Sequence, residues 1–316
     1  MSKVLKIFCI LILILVSAQS IFAQEMKKAD LAGSWYPSDK QQLAGALQGY
    51  LDQAMPQEAP GRIVGLISPH AGYVFSGRTA GFGFKAVKGK PYKTVVILGF
   101  SHRRSFDGIS VYNTGGFQTP LGCVLVDSDF ADKLIDPALR ISFYPDLFND
   151  ENSVEMIVPF VQTALPEARI VPIAFGSQDY TLCEILAKRL ADLVKDRDDV
   201  LIVASTDMSH YHPYDEANRI DAFTIKKISA FKPKELFDEL NMGTAELCGG
   251  APVTTMLIAM KLLGADNIVV LKHENSGDVT GDKGRVVGYF SAAFYRSAIS
   301  HKVTRSQGHQ ATKKKN

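Results

Sequence analysis

Six short apolar runs punctuate the chain, at 62–68, 93–99, 169–175, 199–205, 267–272 and 286–294. They are rich in Val, Ile and Phe, and most lack the polar alternation of a strand with one wet face. That pattern predicts strands buried on both sides. Helical patterns lie between them, near 39–54, 76–88, 153–164, 180–195, 215–230, 233–240 and 251–263. Strands alternating with helices predict an α/β protein, a single α/β/α sandwich around a mixed, mostly parallel sheet. No linker divides residues 28–298, and 316 residues with 46% hydrophobic and 22% charged side chains suffice for a sizeable core.

The two ends read differently. Lys3 and Lys6 precede an uncharged stretch from Ile7 to Gln24, which closes on small residues around Ala23. A basic start, an apolar centre and a small-residue end predict a signal peptide over 1–23, and hence a periplasmic or secreted protein. An uncleaved N-terminal membrane anchor is the alternative, and would be the chain's sole contact with a membrane. Loss of residues 1–23 brings the formal charge from +2 to 0, which argues against a nucleic-acid partner. Residues 299–316 are basic and polar, and predict a disordered, solvated tail.

Beyond the leader the cysteines are Cys123, Cys183 and Cys248. Cys183 falls in a helical pattern and Cys123 in a strand pattern, so both are expected to be buried core thiols. Cys248 precedes Gly249, Gly250 and an apolar helix. A thiol at a helix N-terminus sits in a field that favours thiolate.

The ends of the predicted strands carry the chemistry. The run RIVGLIS ends at Pro69-His70, KTVVILGFS ends at His102, and DVLIVAST ends at Asp207, followed by His210 and His212. In α/β sheets ligands bind beyond the carboxyl ends of the strands, so these groups share one crevice if the strands are parallel neighbours. Imidazole and thiolate suit transition metals, and His70, His102 and Cys248 would form a three-ligand site with open positions. Asp207 and His210 then stand beside the metal as acid, base or orienting groups. His212, followed by Pro213, is expected to leave the site, and His273 is expected to be structural.

Several stretches together resemble the Memo family, whose bacterial members are often labelled AmmeMemoRadiSam system protein B. They are AGSWYP at 32–37, PHAGYVFSG at 69–77, ILGFSH at 97–102, FQTPLG at 117–122 and ENSVEMIVPF at 151–160. STDMSHY at 205–211, LCGGAPV at 247–253 and NSGDVTGDKGRVVGY at 275–289 complete the set. The resemblance implies a fold similar to class III extradiol dioxygenases, metal ligands at His70, His102 and Cys248, and a functional pair at Asp207 and His210. It also implies a link to AMMECR1-like and radical SAM proteins. Asn152 stands where the family usually has histidine, and asparagine cannot accept a proton as imidazole does. Phe100 replaces a common proline before His102.

Two functions are compatible with these residues. One is a metal-dependent oxygenase-like redox enzyme using iron(II) or copper, with zinc a third choice. The other is a non-catalytic protein that binds copper, iron, a small molecule or a phosphopeptide in the same crevice. Arg103 and Arg104 are suited to an anionic group, or else to plain solvated surface.

Overall fold

The computed structural model describes residues 26–265 and 267–297. The signal segment and basic tail expected at 1–23 and 299–316 lie outside the described residues. Among the described residues no helix is long and apolar enough to cross a membrane.

Nine strands form the main sheet: β1 (Gly61–Ser68), β2 (Thr94–Phe100), β3 (Ile109–Val111), β4 (Ile141–Ser142), β5 (Arg169–Phe175), β6 (Val200–Ser205), β7 (His210–His212), β8 (Asn267–Asn275) and β9 (Val286–Ser297). Their order is β7-β9-β1-β6-β2-β5-β3-β4, with β8 paired to β9. The centre, β1-β6-β2-β5, is parallel, whereas β9 runs antiparallel to β1 and β8, and β3 antiparallel to β5. The apolar runs thus make a mixed sheet with a parallel centre. Residues 63–68 of β1 and all of β6 are buried on both faces.

Helices cover both faces. On one side α1 (Lys40–Gln53), α2 (Tyr73–Val87) and, after the four-residue α3 (Asn152–Glu155), α4 (Val158–Ala164) pack together. On the other lie α5 (Tyr180–Val194), α6 (Tyr214–Ser229), α7 (Pro233–Asn241) and α8 (Gly250–Leu262); the short α9 is Ser276–Thr280. Gly65 of β1 illustrates the fit. A Cβ there would stand 3.1 Å from Met260 Sδ and 3.3 Å from Met256 Sδ of α8. The missing side chain lets α8 sit close on the sheet centre, below the strand ends.

The expected helix over 153–164 is two helices, broken at Met156–Ile157, with Pro159 in the first turn of α4. Proline has no N–H to continue a helix from the preceding turn. Cys123 corrects the sequence reading. It does lie in a strand, Gly122–Leu125, but is exposed. That strand edges a separate three-stranded sheet with Met26–Lys27 and Gly116–Thr119, and only Val124 of it turns inward. Cys183 is buried in α5 as expected, where burial pushes its thiol up to about 12.

Candidate metal centre

The parallel centre brings three strand ends side by side. β1 delivers His70, β2 delivers His102, and β6, between them, delivers Ser205, Thr206 and Asp207. Cys248 arrives from the opposite layer, two residues before α8. One donor atom each from His70, His102 and Cys248 lie within 4.8 Å of one another.

Each imidazole is held by the nitrogen that faces away. His70 Nδ1 shares a hydrogen bond with Ser205 Oγ at 2.8 Å, and its Nε2 stands 3.1 Å from Cys248 Sγ. His102 Nδ1 donates to Glu151 Oε1 at 2.8 Å, and its backbone N–H donates to Glu151 Oε2 at 2.6 Å. A carboxylate on Nδ1 leaves Nε2 as the donor atom, which is how a ligating histidine is commonly oriented. The rings meet edge to face, with centroids 5.2 Å apart.

The thiol is fixed as firmly. The Asp207 N–H donates to Cys248 Sγ at 3.2 Å, and the Cys248 N–H donates to the Asp207 carbonyl at 3.3 Å. The Gly249 N–H donates to Thr206 Oγ1 at 2.9 Å. Gln178 clamps the far side: its Oε1 accepts from the Ala251 N–H at 2.6 Å and its Nε2 donates to the Cys248 carbonyl at 3.4 Å.

Charge follows geometry. Burial alone would raise the Cys248 thiol, but the facing His70 and His102 outweigh it and hold the group down at about 6. Burial alone would lower His102, but its bonds to Cys248 and Glu151 hold it up at about 10. Glu151 is lowered, because the His102 contacts overcome its burial. Two imidazoles and a thiolate-prone sulfur therefore face one point, and once His102 gives up its Nε2 proton the donor set fits a transition metal.

Asp207 is buried; its Oδ1 accepts from the His70 N–H at 2.9 Å, and burial raises its carboxyl to about 6. It thereby caps the backbone that follows the neighbouring strand. His210 donates Nδ1–H to the Met208 carbonyl at 2.7 Å, which selects the tautomer whose other nitrogen, Nε2, can accept a hydrogen bond. Both groups line a cleft of about 680 Å³ together with all three cluster residues. Asn152 also lines it, and its Nδ2 donates to the His70 carbonyl at 3.4 Å. Arg103 stands at the cleft, while His212 turns away to pair with Glu246 at 2.8 Å. His273 bonds buried Asp221 at 3.0 Å, outside the cleft.

Glu151 and Ser205, which orient the two histidines, were not assigned that role from sequence. Glu151 stands within the ENS stretch, but 49 residues separate it from His102. Ser205 is simply the last residue of a strand.

Fold and cluster define an α/β/α protein with a His/His/Cys group at the carboxyl ends of its parallel strands. The family described as Memo-like protein matches residues 27–293, and this chain belongs to it. The MEMO1 family protein of Thermotoga maritima is 36% identical over 283 residues, covering 85% of this chain and 99% of the relative. Those of Methanocaldococcus jannaschii and Methanopyrus kandleri are 35% and 32% identical over 277 residues each. They cover 83% and 84% of this chain and 96% and 98% of the relatives. A solved structure of an uncharacterized Escherichia coli K12 protein is a distant likeness. It has a TM-score of 0.46 and 15% identity, and covers 73% of this chain and 99% of that one.

Proposed function

We propose that this Memo-family protein holds iron(II) or copper at His70, His102 and Cys248 and uses it for redox chemistry, of an oxygenase-like kind, on a small organic molecule bound in the cleft. The observation that carries this reading is the convergence of the three donor atoms within 4.8 Å, with both imidazoles anchored from behind. When bound, the metal would supply Lewis-acid and one-electron chemistry. A thiolate in place of the carboxylate of a facial triad makes copper as well suited as iron. Zinc fits the same donors without redox chemistry.

The chain's own groups supply the rest. His210, in the cleft lining, is the proton acceptor through Nε2, its tautomer set by the Met208 carbonyl. Asp207 holds the His70 backbone and, being buried, accepts charge beside the cluster only at a cost. Asn152 orients but takes no proton. The place of action proposed for this chemistry is outside the cytoplasm, as the N-terminal sequence suggests.

The test is metal analysis of protein purified without chelator, beside His70→Ala, Cys248→Ala and His210→Ala. Near-stoichiometric iron or copper, absent from the first two variants and retained in the third, is expected. His210→Ala should also lose oxygen-dependent turnover. No metal after anaerobic loading with iron, copper and zinc would overturn the reading. Metal without turnover in any variant would leave a metal-binding protein that is not an enzyme.

A further inference from the structure

One wall of the cleft comes from the N-terminal segment 26–36, which contributes Ser34 and Trp35. This segment forms little regular structure of its own: two residues of edge strand, then turns. Beside the pairing of Met26 and Lys27 with a neighbouring strand and the burial of Leu31 and Tyr36, one buried carboxylate gathers most of its polar contacts. Glu155 accepts from Lys27 Nζ, from the Asp30 and Leu31 N–H groups at 3.2 and 2.8 Å, and from Tyr36 Oη–H at 2.8 Å. Lys27 and Glu155 side chains are 3% and 2% exposed, so the pair is buried, and Lys27 Nζ also meets the more exposed Asp30 at 3.1 Å. The Trp35 carbonyl then accepts from the Tyr73 N–H at 2.9 Å, which ties the segment's end to the start of α2.

Glu155 closes α3, the four-residue helix whose N-cap is Glu151. Asn152 and Ser153 of that helix bond the strand ends that lead to the two histidines. Asn152 donates to the His70 carbonyl, and Ser153 both accepts from the Phe100 N–H at 3.1 Å and donates to its carbonyl at 2.9 Å. A Cβ on Gly99 would stand 2.5 Å from Ser153 Oγ, so helix and strand end are in tight contact. One turn of helix therefore carries the carboxylate that orients His102 and, one turn on, the carboxylate that clamps the cleft wall.

We propose that Glu155 is a positioning residue, and that α3 couples the wall bearing Trp35 to the histidine ligands. A rigid turn cannot shift at Glu155 without shifting at Glu151, so the two ends share one equilibrium. Binding at the cluster must then tighten the wall, and loss of the wall must weaken binding at the cluster, by the same factor. The coupling half of this inference rests on the metal reading above; the clamp itself does not.

Trp35 is the chain's single tryptophan, so its fluorescence reports the wall directly. The experiment measures acrylamide quenching of Trp35 in wild type, Glu155→Gln and the double variant Lys27→Met/Glu155→Leu, each with and without cobalt(II). Cobalt is followed by its thiolate absorption. The double variant leaves no unpaired buried charge and remains informative if Glu155→Gln fails to fold. In wild type, cobalt should lower the quenching. In the double variant, quenching without metal should rise about twofold or more, as expected for a locally opened segment. Cobalt should still bind there, several-fold more weakly, and should no longer protect Trp35. Equal quenching of wild type and double variant without metal would overturn the clamp. Retained protection by cobalt in the double variant would overturn the coupling. Failure of wild type to bind cobalt would overturn the coupling, while the metal-free comparison would still decide the clamp and loading with iron, copper and zinc would decide the metal reading.

Discussion

Glu151 accepts two hydrogen bonds from His102 on one carboxylate, from ring and from backbone, and is itself buried. Glu151→Gln keeps the shape and an acceptor but removes the charge that makes the His102 ring a stronger donor. Partners of this kind are worth about 10–100-fold in metal affinity. Glu151→Gln is expected to weaken binding in that range, measured by competition with a chelator of known affinity, while far-ultraviolet circular dichroism stays unchanged. Unaltered affinity would show that the carboxylate serves the fold alone. His70, His102 and Cys248 were legible because each follows a recognisable strand end or precedes a helix. Glu151 was not, because nothing in a sequence says which carboxylate will meet which imidazole 49 residues away. Cys123 was misread for a related reason. An apolar neighbourhood suggested burial, but the strand sits at the edge of a minor sheet and only Val124 faces inward.

At the scale of elements, the approach of α8 to β6 places the sulfur. Gly249, the residue after Cys248, lies against the end of β6 so closely that a Cβ would be 2.4 Å from the Ser205 carbonyl oxygen and 2.9 Å from Thr206 Cβ. One obstacle is backbone, which cannot rotate aside. Gly249→Ala must therefore push α8's first turn outward and carry Cys248 from the two imidazoles. Overpacking of this sort costs about 1–3 kcal/mol. The expected result is lower stability by that amount in denaturant unfolding, together with loss of thiolate–cobalt absorption. Stability lost with the absorption intact would mean that the loop yields elsewhere and the cluster does not depend on this contact. The long elements were readable because their periods are strong: six of the main-sheet strands, β1, β2, β5, β6, β8 and β9, and the helices α1, α2, α5, α6, α7 and α8 fall within a few residues of the apolar patterns. The short ones, β3, β4 and β7, have too few residues to show a period, and they exist because a neighbour offers an open edge. The break between α3 and α4 was hidden by a continuous apolar run, although Pro159 marks it.

At the scale of the molecule, the cluster ties together parts that the chain supplies far apart. His70 and Cys248 are separated by 178 residues, and His102 belongs to a third segment. Two of the cluster residues come from ends of the sheet and one from the layer that covers it, so an ion bound to all three would cross-link sheet and helices. Such an ion binds the folded chain and has no comparable site in the unfolded one, and its binding energy is added to stability. At a free metal concentration of 100 times Kd the gain is about 2.7 kcal/mol. For a domain of this size, that corresponds to roughly 5–10 °C in the melting temperature. Calorimetry of wild type with and without metal is expected to show that rise. His70→Ala and Cys248→Ala, each lacking one ligand, should lose most of it, whereas His210→Ala, which only lines the cleft, should keep it. A rise of equal size in all four proteins would place the ion elsewhere on the molecule. No rise in wild type, with metal present by analysis, would mean that the ligands hold it equally well when the layers come apart, and the convergence at the strand ends would then not be what binds it.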